Sequence, residues 1–373
     1  MHKKIFGHIA SALLTMGAAL ATPTAGAVEL RVYEWEGYIL PWRDMFEQYA
    51  RWKGVDVSLV PYQDPTGKPG YIGNSEDIYT ALKEGKVDVV TPTNNYYKAE
   101  NAKMMEYLMP IDPAQVPNLV DLPDTLRNPV FAQNGNDFYA VPLLGGTYAL
   151  AYQADRLASA PTSWAALLEP AMKGKITVTG DQYEANIYTM ALLAGAKPED
   201  VYDIKKIDRA AVQGKLNALV ANTGSFWGGM PSIKQMEDSD LATDYMFGMA
   251  LARQKGQNWK LDEPKEGQTV WLDNISIAKA VAADPEKVKA AHLLIDFMIS
   301  PEMQSEVQRL YGVVVVNPKA RPLLPSDDAM AQRAGDTTFF KKEYFWQPLS
   351  VETRAAYRQM WDEAVKAAGK AIH

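Results

Sequence analysis

LRVYEW, residues Leu30–Trp35, reads as the first strand of the mature chain, and the fold follows from what comes after it. PWRDMFEQYARWK (Pro41–Lys53) is predicted as a helix, with Pro41 suited to a first turn and Gly54 to a left-handed stop. VDVSLV (Val55–Val60) alternates as a strand, and SEDIYTALKE (Ser75–Glu84) reads as a second helix with Ser75 as its candidate cap. VDVV (Val87–Val90) is a short strand of the buried type. Strand, helix, strand, helix, strand in this order implies an α/β layer with a largely parallel sheet.

Working outward, Tyr139–Pro142 and Thr147–Tyr152 read as two strands joined by Gly145-Gly146. Thr162–Leu168, Glu184–Ala194 and Asp208–Ala221 read as helices, and Ile176–Val178, Tyr245–Leu251 and Val270–Ala278 as strands. Asp284–Ile299 is a well-marked helix: Asp284 caps it, Pro285 fits the first turn, and Val288, Ala291, Ile295 and Met298 share one face. Pro301–Leu310 and Ser350–Ala368 are further helices. No internal repeat and no low-complexity tract interrupts this pattern.

The residues before the first strand set the compartment. Lys3 and Lys4 precede an apolar run, Ile5–Ala21, and the small-residue stretch Ala25-Gly26-Ala27. That is the form of a secretory signal over residues 1–27, with cleavage expected after about Ala27. The chain has no cysteine, which removes lipid attachment, disulfides, thiolate metal sites and cysteine nucleophiles. A freely diffusing periplasmic protein is expected. Of four histidines, His2 and His8 lie in the signal, His373 is terminal, and His292 sits in a helical stretch among Ala290, Ala291, Leu293 and Leu294. Histidine is the commonest general acid or base near neutral pH, so its scarcity argues against most hydrolases and metalloenzymes. Loss of Lys3 and Lys4 leaves 36 basic against 45 acidic residues, a net charge of −9, which disfavours nucleic acid as a partner and attracts cations. The remaining 346 residues are enough for two domains.

Ligands of open α/β sheets sit beyond the carboxyl ends of strands. Four such places combine aromatic rings with carboxylates or amides: Glu34-Trp35-Glu36-Gly37-Tyr38, Thr91–Tyr97, Thr179–Glu184 and Val270–Asn274. Carboxylates form charge-assisted bonds with ammonium groups, and Trp and Tyr faces attract cations and pack against methylenes. Such a set is complementary to an alkyl amine. The same residues have plainer roles open to them: Asp181 can cap the helix near Glu184, Glu184 suits that helix's positive end, and Trp35 or Trp271 can be core. Tyr96-Tyr97 leaves a ferric-iron pair as an alternative. No GxxxxGK[ST], GxGxxG after a strand, HExxH, CxxC or GxSxG occurs.

These segments resemble the spermidine/putrescine-binding periplasmic proteins of polyamine ABC importers. The likeness lies in YEWEGYI (Tyr33–Ile39), VDVVTPT (Val87–Thr93), AVPLLGGTYALAY (Ala140–Tyr152), PTSWAALLEPAMKGKITVTGD (Pro161–Asp181) and, most specifically, PKEGQTVWLDNISIAKAV (Pro264–Val281). The resemblance implies a two-lobed α/β periplasmic binding protein fold (type II) with a ligand cleft between lobes, and no enzymatic role. The lobes are expected at 28–145 with 253–318, and at 146–252 with 319–373. It implies that Trp35 and Tyr38 flank the ligand, that Asp181 and Glu184 hold ammonium groups, that Trp271 and Asp273 meet the opposite part of the ligand, and that Thr93 lies near one end. A membrane permease is the implied partner, the protein is expected to be monomeric, and neither cofactor nor metal is expected.

Several positions depart from the family's pattern. Tyr245 stands where a tryptophan is usual, Val313 where another aromatic is placed, Glu36 for a small hydroxyl residue, and Asn95 for a tyrosine. The implied pocket is less aromatic and more acidic, and Glu36 and Tyr245 join the expected ligand-binding set. Trp227 is a further candidate ring. The alternatives are another cationic or amino-acid-derived solute in the same fold, a ferric complex, and a glycosidase using paired carboxylates, for which the sequence picks out no pair.

Overall fold

The computed structural model describes residues 26–99, 103–328, 330–340 and 345–372. The expected signal segment therefore lies, up to Ala25, outside the described residues. Along the chain the strands are Val28–Tyr33 (β1), Val57–Pro61 (β2), Val89–Val90 (β3), Leu108–Met109 (β4), Gln133–Asn134 (β5), Asp137–Phe138 (β6), Val141–Thr147 (β7), Ala149–Gln153 (β8), Ile176–Thr179 (β9), Thr223–Trp227 (β10), Leu241–Asp244 (β11), Trp259–Asp262 (β12), Val270–Ala278 (β13) and Val314–Val315 (β14). The helices are Arg43–Trp52 (α1), Ser75–Lys83 (α2), Asp124–Arg127 (α3), Glu184–Leu193 (α4), Arg209–Asn222 (α5), Ile233–Glu237 (α6), Phe247–Gln254 (α7), Pro285–Met298 (α8), Pro301–Tyr311 (α9) and Val351–Ala367 (α10).

Two sheets carry the molecule. The first runs β14-β7-β13-β3-β1-β2, with β4 also on β13; the second runs β10-β9-β11-β8-β12. The β1–β2 and β1–β3 pairs are parallel, as the opening unit predicts. The complete first sheet is mixed rather than largely parallel, because β13 pairs antiparallel with β3, β4 and β7. The reason is connectivity: β7 leaves toward the second sheet and β13 returns from it, so the two legs must run in opposite directions.

The helices form where the local signals say. Asp284 caps α8 by accepting the Glu286 and Lys287 N–H groups, and Ala291, Ile295 and Met298 are fully buried. His292 is an ordinary satisfied residue: its Nε2 accepts from Asp112 N–H at 3.0 Å while Nδ1 meets Val288 C=O at 2.8 Å. The cap of α2 is Asn74, not Ser75; the Asn74 side chain accepts from Asp77 N–H at 3.0 Å, and Ser75 is the first helical residue.

Two assignments are overturned by packing. Gly145-Gly146 is not a turn but part of β7. A Cβ on Gly145 would stand 2.6 Å from the Trp271 carbonyl, and one on Gly146 would stand 2.7 Å from the Trp271 ring, so glycine here permits close approach of β13. Tyr245–Leu251 is not a strand: β11 stops at Asp244 and α7 starts at Phe247. The buried Asp244 carboxylate accepts Gly248 N–H and Met249 N–H, capping α7 from within, and Met246 adopts φ +81° to make the corner.

The legs between the sheets lie side by side. Val270 pairs with Thr147 and Trp271 with Gly146. A third segment joins them, since Trp346 N–H donates to Val270 C=O at 2.9 Å and Phe345 bridges Val270. β12 hydrogen-bonds β8, so Trp259–Asp262 belongs to the second sheet, beyond residue 253 where the sequence places the second crossing. Pro318–Leu323 packs on α9 on the first-sheet side, whereas α10 packs on α5 and α4.

Candidate functional site

The turn after β1 is built around a buried acid. Glu34 is 1% exposed, and its carboxylate accepts the N–H groups of Ile39 and Leu40, which fixes the intervening Trp35, Glu36 and Tyr38. Burial pushes the Glu34 carboxyl up to about 8, with those N–H groups pulling the other way. Gly37 is left-handed (φ +94°), and the Tyr311 hydroxyl donates to its carbonyl at 2.8 Å, closing the turn from the α9 side. Trp35 N–H donates to Thr91 Oγ1 at 3.0 Å, tying this turn to the end of β3.

Asp273 stands on β13 where these turns meet. It is 3% exposed. Its Oδ2 accepts the Tyr38 hydroxyl at 2.6 Å, and its Oδ1 is buried with no hydrogen-bond partner. Burial pushes its pKa up to about 7, against the Thr93 and Tyr38 hydroxyls, which stabilise the anion. Thr93 bridges Asp273 directly, and Asn94 accepts from Leu272 N–H at 3.1 Å while donating to Trp346 C=O at 2.6 Å. A carboxylate oxygen left bare in a buried site is a costly arrangement unless a cation or donor completes it.

The surrounding cavity holds about 50 Å³. Seven of the nine expected residues line it: Trp35, Glu36, Tyr38, Thr93, Tyr245, Trp271 and Asp273. Among the described residues no lysine or arginine does. The Tyr245 ring meets Trp271 edge to face at 6.1 Å and Trp346 at 5.8 Å, and its hydroxyl is buried without a partner. Trp227 does not line the cavity; it stands 5.4 Å behind Tyr245, perpendicular to it.

Asp181 and Glu184 stand beside the lining rather than in it. Asp181 is exposed and accepts the Thr179 hydroxyl, Gln182 N–H and Gly229 N–H within 2.8 Å, so it knits two turns together. Glu184 opens α4 and forms an ion pair with Arg354 at 3.7 Å; burial raises its pKa, and Arg354 opposes the rise. Gln182 is the residue of this turn that reaches the cavity.

Gly229, Met230, Phe247 and Trp346 line it too, with no sequence expectation behind them. Phe247 falls in the segment misassigned as a strand, which hid the direction of its ring. Val313 is core. Tyr97 is spent on Ser276 Oγ at 2.7 Å, and no cluster of three His, Cys, Asp or Glu residues is found among the described residues.

The profile of the bacterial extracellular solute-binding protein family matches residues 86–334, two thirds of the chain. The chain belongs to this family. Relatives include the spermidine/putrescine-binding periplasmic protein of Escherichia coli (strain K12), 28% identical over 327 residues, covering 85% of this chain and 87% of that protein. The putrescine-binding periplasmic protein SpuD of Pseudomonas aeruginosa (strain UCBPP-PA14) is 24% identical over 96% of this chain and 98% of its own length. Among solved structures, a putative spermidine/putrescine ABC transporter from Listeria monocytogenes aligns with a TM-score of 0.71 at 20% identity, over 91% of this chain and 99% of that one. The solute-binding family and that neighbour establish the two-lobed α/β fold. Its members bind solutes and are not enzymes, and the cavity around Asp273 is the feature of this chain suited to that role.

Proposed function

We propose that this solute-binding protein captures a small cationic amine in the periplasm and delivers it to the membrane permease of an ABC importer. The observation that carries the proposal is the bare Oδ1 of Asp273, buried among Tyr38, Trp35 and Trp271 with no basic side chain in the lining. An ammonium group supplies the missing charge and hydrogen bond there, and the rings take its alkyl stem. Glu36, exposed at the cavity's edge, offers a second carboxylate. Asp181 and Glu184 act as supports of the cleft wall, and Glu184 joins a further amine group only if its Arg354 pair opens.

The lobes take residues 28–147 with 270–340, and 149–262 with α10, meeting along the three segments that run between the sheets. Ligand bridges them, and the closed form docks on the permease as a monomer. Export follows cleavage after about Ala27. The named relatives bind spermidine or putrescine, which supports the amine class for this chain.

The test is calorimetric titration of refolded, ligand-stripped protein with putrescine, cadaverine, agmatine, a neutral sugar and a dicarboxylic acid. One-to-one binding of at least one amine, with no response to sugar or acid, is expected. Binding of the acid and of no amine would reject the proposal.

A further inference from the structure

Phe247 occupies ground that a ligand's methylene chain would otherwise use. It opens α7, on the second-sheet side, yet its ring sits among three rings of the first-sheet side. It stacks on Trp271 at 5.7 Å and 26°, lies 5.7 Å from Tyr38, and meets Tyr311 edge-on at 5.1 Å. Tyr38 and Trp271 border Asp273, so ring surface beside the buried carboxylate is already covered. The backbone that carries the ring is pinned. Met246 is held at φ +81°, and Asp244 grips the next turn through Gly248 and Met249 N–H. What remains is the cavity of about 50 Å³.

We infer that Phe247 sets the length of the ligand: the closed site takes a compact amine with one ammonium on Asp273 and excludes longer polyamines. At 10–15 Å³ for each water-sized position, the cavity holds roughly four such positions, which fits a ligand of about four to six heavy atoms. This rests on the amine reading above and narrows it. Phe247 acts from the opposite lobe, so the limit applies as the lobes close. A chain that continued past Trp271 would have to displace a ring packed on Tyr38, Trp271 and Tyr311 and carried on a pinned helix start.

The experiment titrates wild type and F247A with diamines of two to five carbons and with spermidine. Near-ultraviolet circular dichroism and melting confirm the folded state. Wild type is expected to bind its best short diamine at least tenfold more tightly than spermidine. F247A is expected to move the spermidine-to-diamine ratio at least tenfold toward spermidine. If F247A does not fold, F247L, which keeps an apolar side chain at the start of α7, should move the ratio in the same direction by a smaller factor. Equal binding of spermidine and short diamines by wild type would overturn the inference while leaving amine capture standing. So would an unchanged ratio in every folded variant. Silence toward all amines would overturn amine capture itself, and the length limit with it.

Discussion

Asp273→Asn is expected to weaken amine binding at least tenfold while leaving the unliganded protein at least as stable at pH 8. The carboxylate is 3% exposed, and one oxygen has no partner, so its charge is held at a cost that the Tyr38 and Thr93 hydroxyls offset in part and a cation would offset further. Loss of one member of a buried charge pair typically removes about 2–5 kcal/mol of binding. Asparagine has nearly the same shape, and its side-chain oxygen can still accept the Tyr38 hydroxyl that Oδ2 accepts now. The two effects therefore have opposite signs: calorimetry should show the affinity lost, and thermal unfolding should show the fold kept or strengthened. Unchanged affinity in a folded variant would remove Asp273 from the site.

Affinity for an amine is expected to fall roughly thirtyfold between about pH 8 and about pH 5.5, by proton linkage at Asp273. Its pKa is pushed from 3.8 up to about 7, chiefly by burial, whereas an alkyl ammonium stays charged throughout this range. Below about pH 7 the ligand must displace a proton to find its counter-charge, so each unit of pH costs about tenfold in affinity. Stability without ligand runs the other way. A carboxyl whose folded-state pKa is raised stabilises the fold fully below its unfolded pKa, near 3.8, and loses that contribution as pH rises through about 7. Glu34, raised to about 8, and Asp244, raised to about 6, have the same sign. The unliganded melting temperature should thus fall from about pH 5 to about pH 8, and saturating amine should diminish the fall. Titrations in a pH series check both. Affinity that is flat, or that rises on acidification, would contradict a titrating carboxylate at the centre of the site.

Much of the site's layout is legible in the chain because two of its segments follow strand ends, whereas Trp271 and Asp273 lie within β13 itself. The ends of β1 and β3 and the first half of β13 each mark themselves by aromatic rings beside carboxylates or amides, and these segments do converge. The fourth turn shows the limit. Asp181 has the capping role open to any aspartate after a strand, but its three short hydrogen bonds come from Thr179, Gln182 and Gly229, none of them in α4, so it pins two turns together instead. Nothing in its neighbours distinguishes this turn-pinning role from a cap or a ligand, because the deciding partner, Gly229 N–H, is 48 residues away.

The same distance problem hides the scaffold. The T-S-W and P-K-E-G stretches, informative as a family likeness, hold each other: Ser163 donates to Glu266 at 2.6 Å and Trp164 Nε1 to Gly267 C=O at 2.8 Å. Together they fasten the segment before β9 to the leg that leads into β13. Gly145-Gly146 reads as a turn by local rules and proves to be strand, since the reason for two glycines is the Trp271 backbone and ring on the neighbouring leg. At α7 a local signal did exist. Asp244 lies four and five residues before the N–H groups it accepts, in the manner of a helix-start acid, but the left-handed Met246 between them has no propensity signature.

The most direct test of amine capture is a paired titration at pH 8 with putrescine and with the diol of the same carbon skeleton. The two share stem and length and differ in charge, so the rings see nearly the same apolar surface while Asp273 sees either a cation or a hydroxyl. One-to-one binding of the diamine at least a hundredfold tighter than the diol, lost in Asp273→Asn, is the expected result. Comparable binding of both, or of neither by a folded protein, would contradict a site organised around a buried, cation-seeking carboxylate.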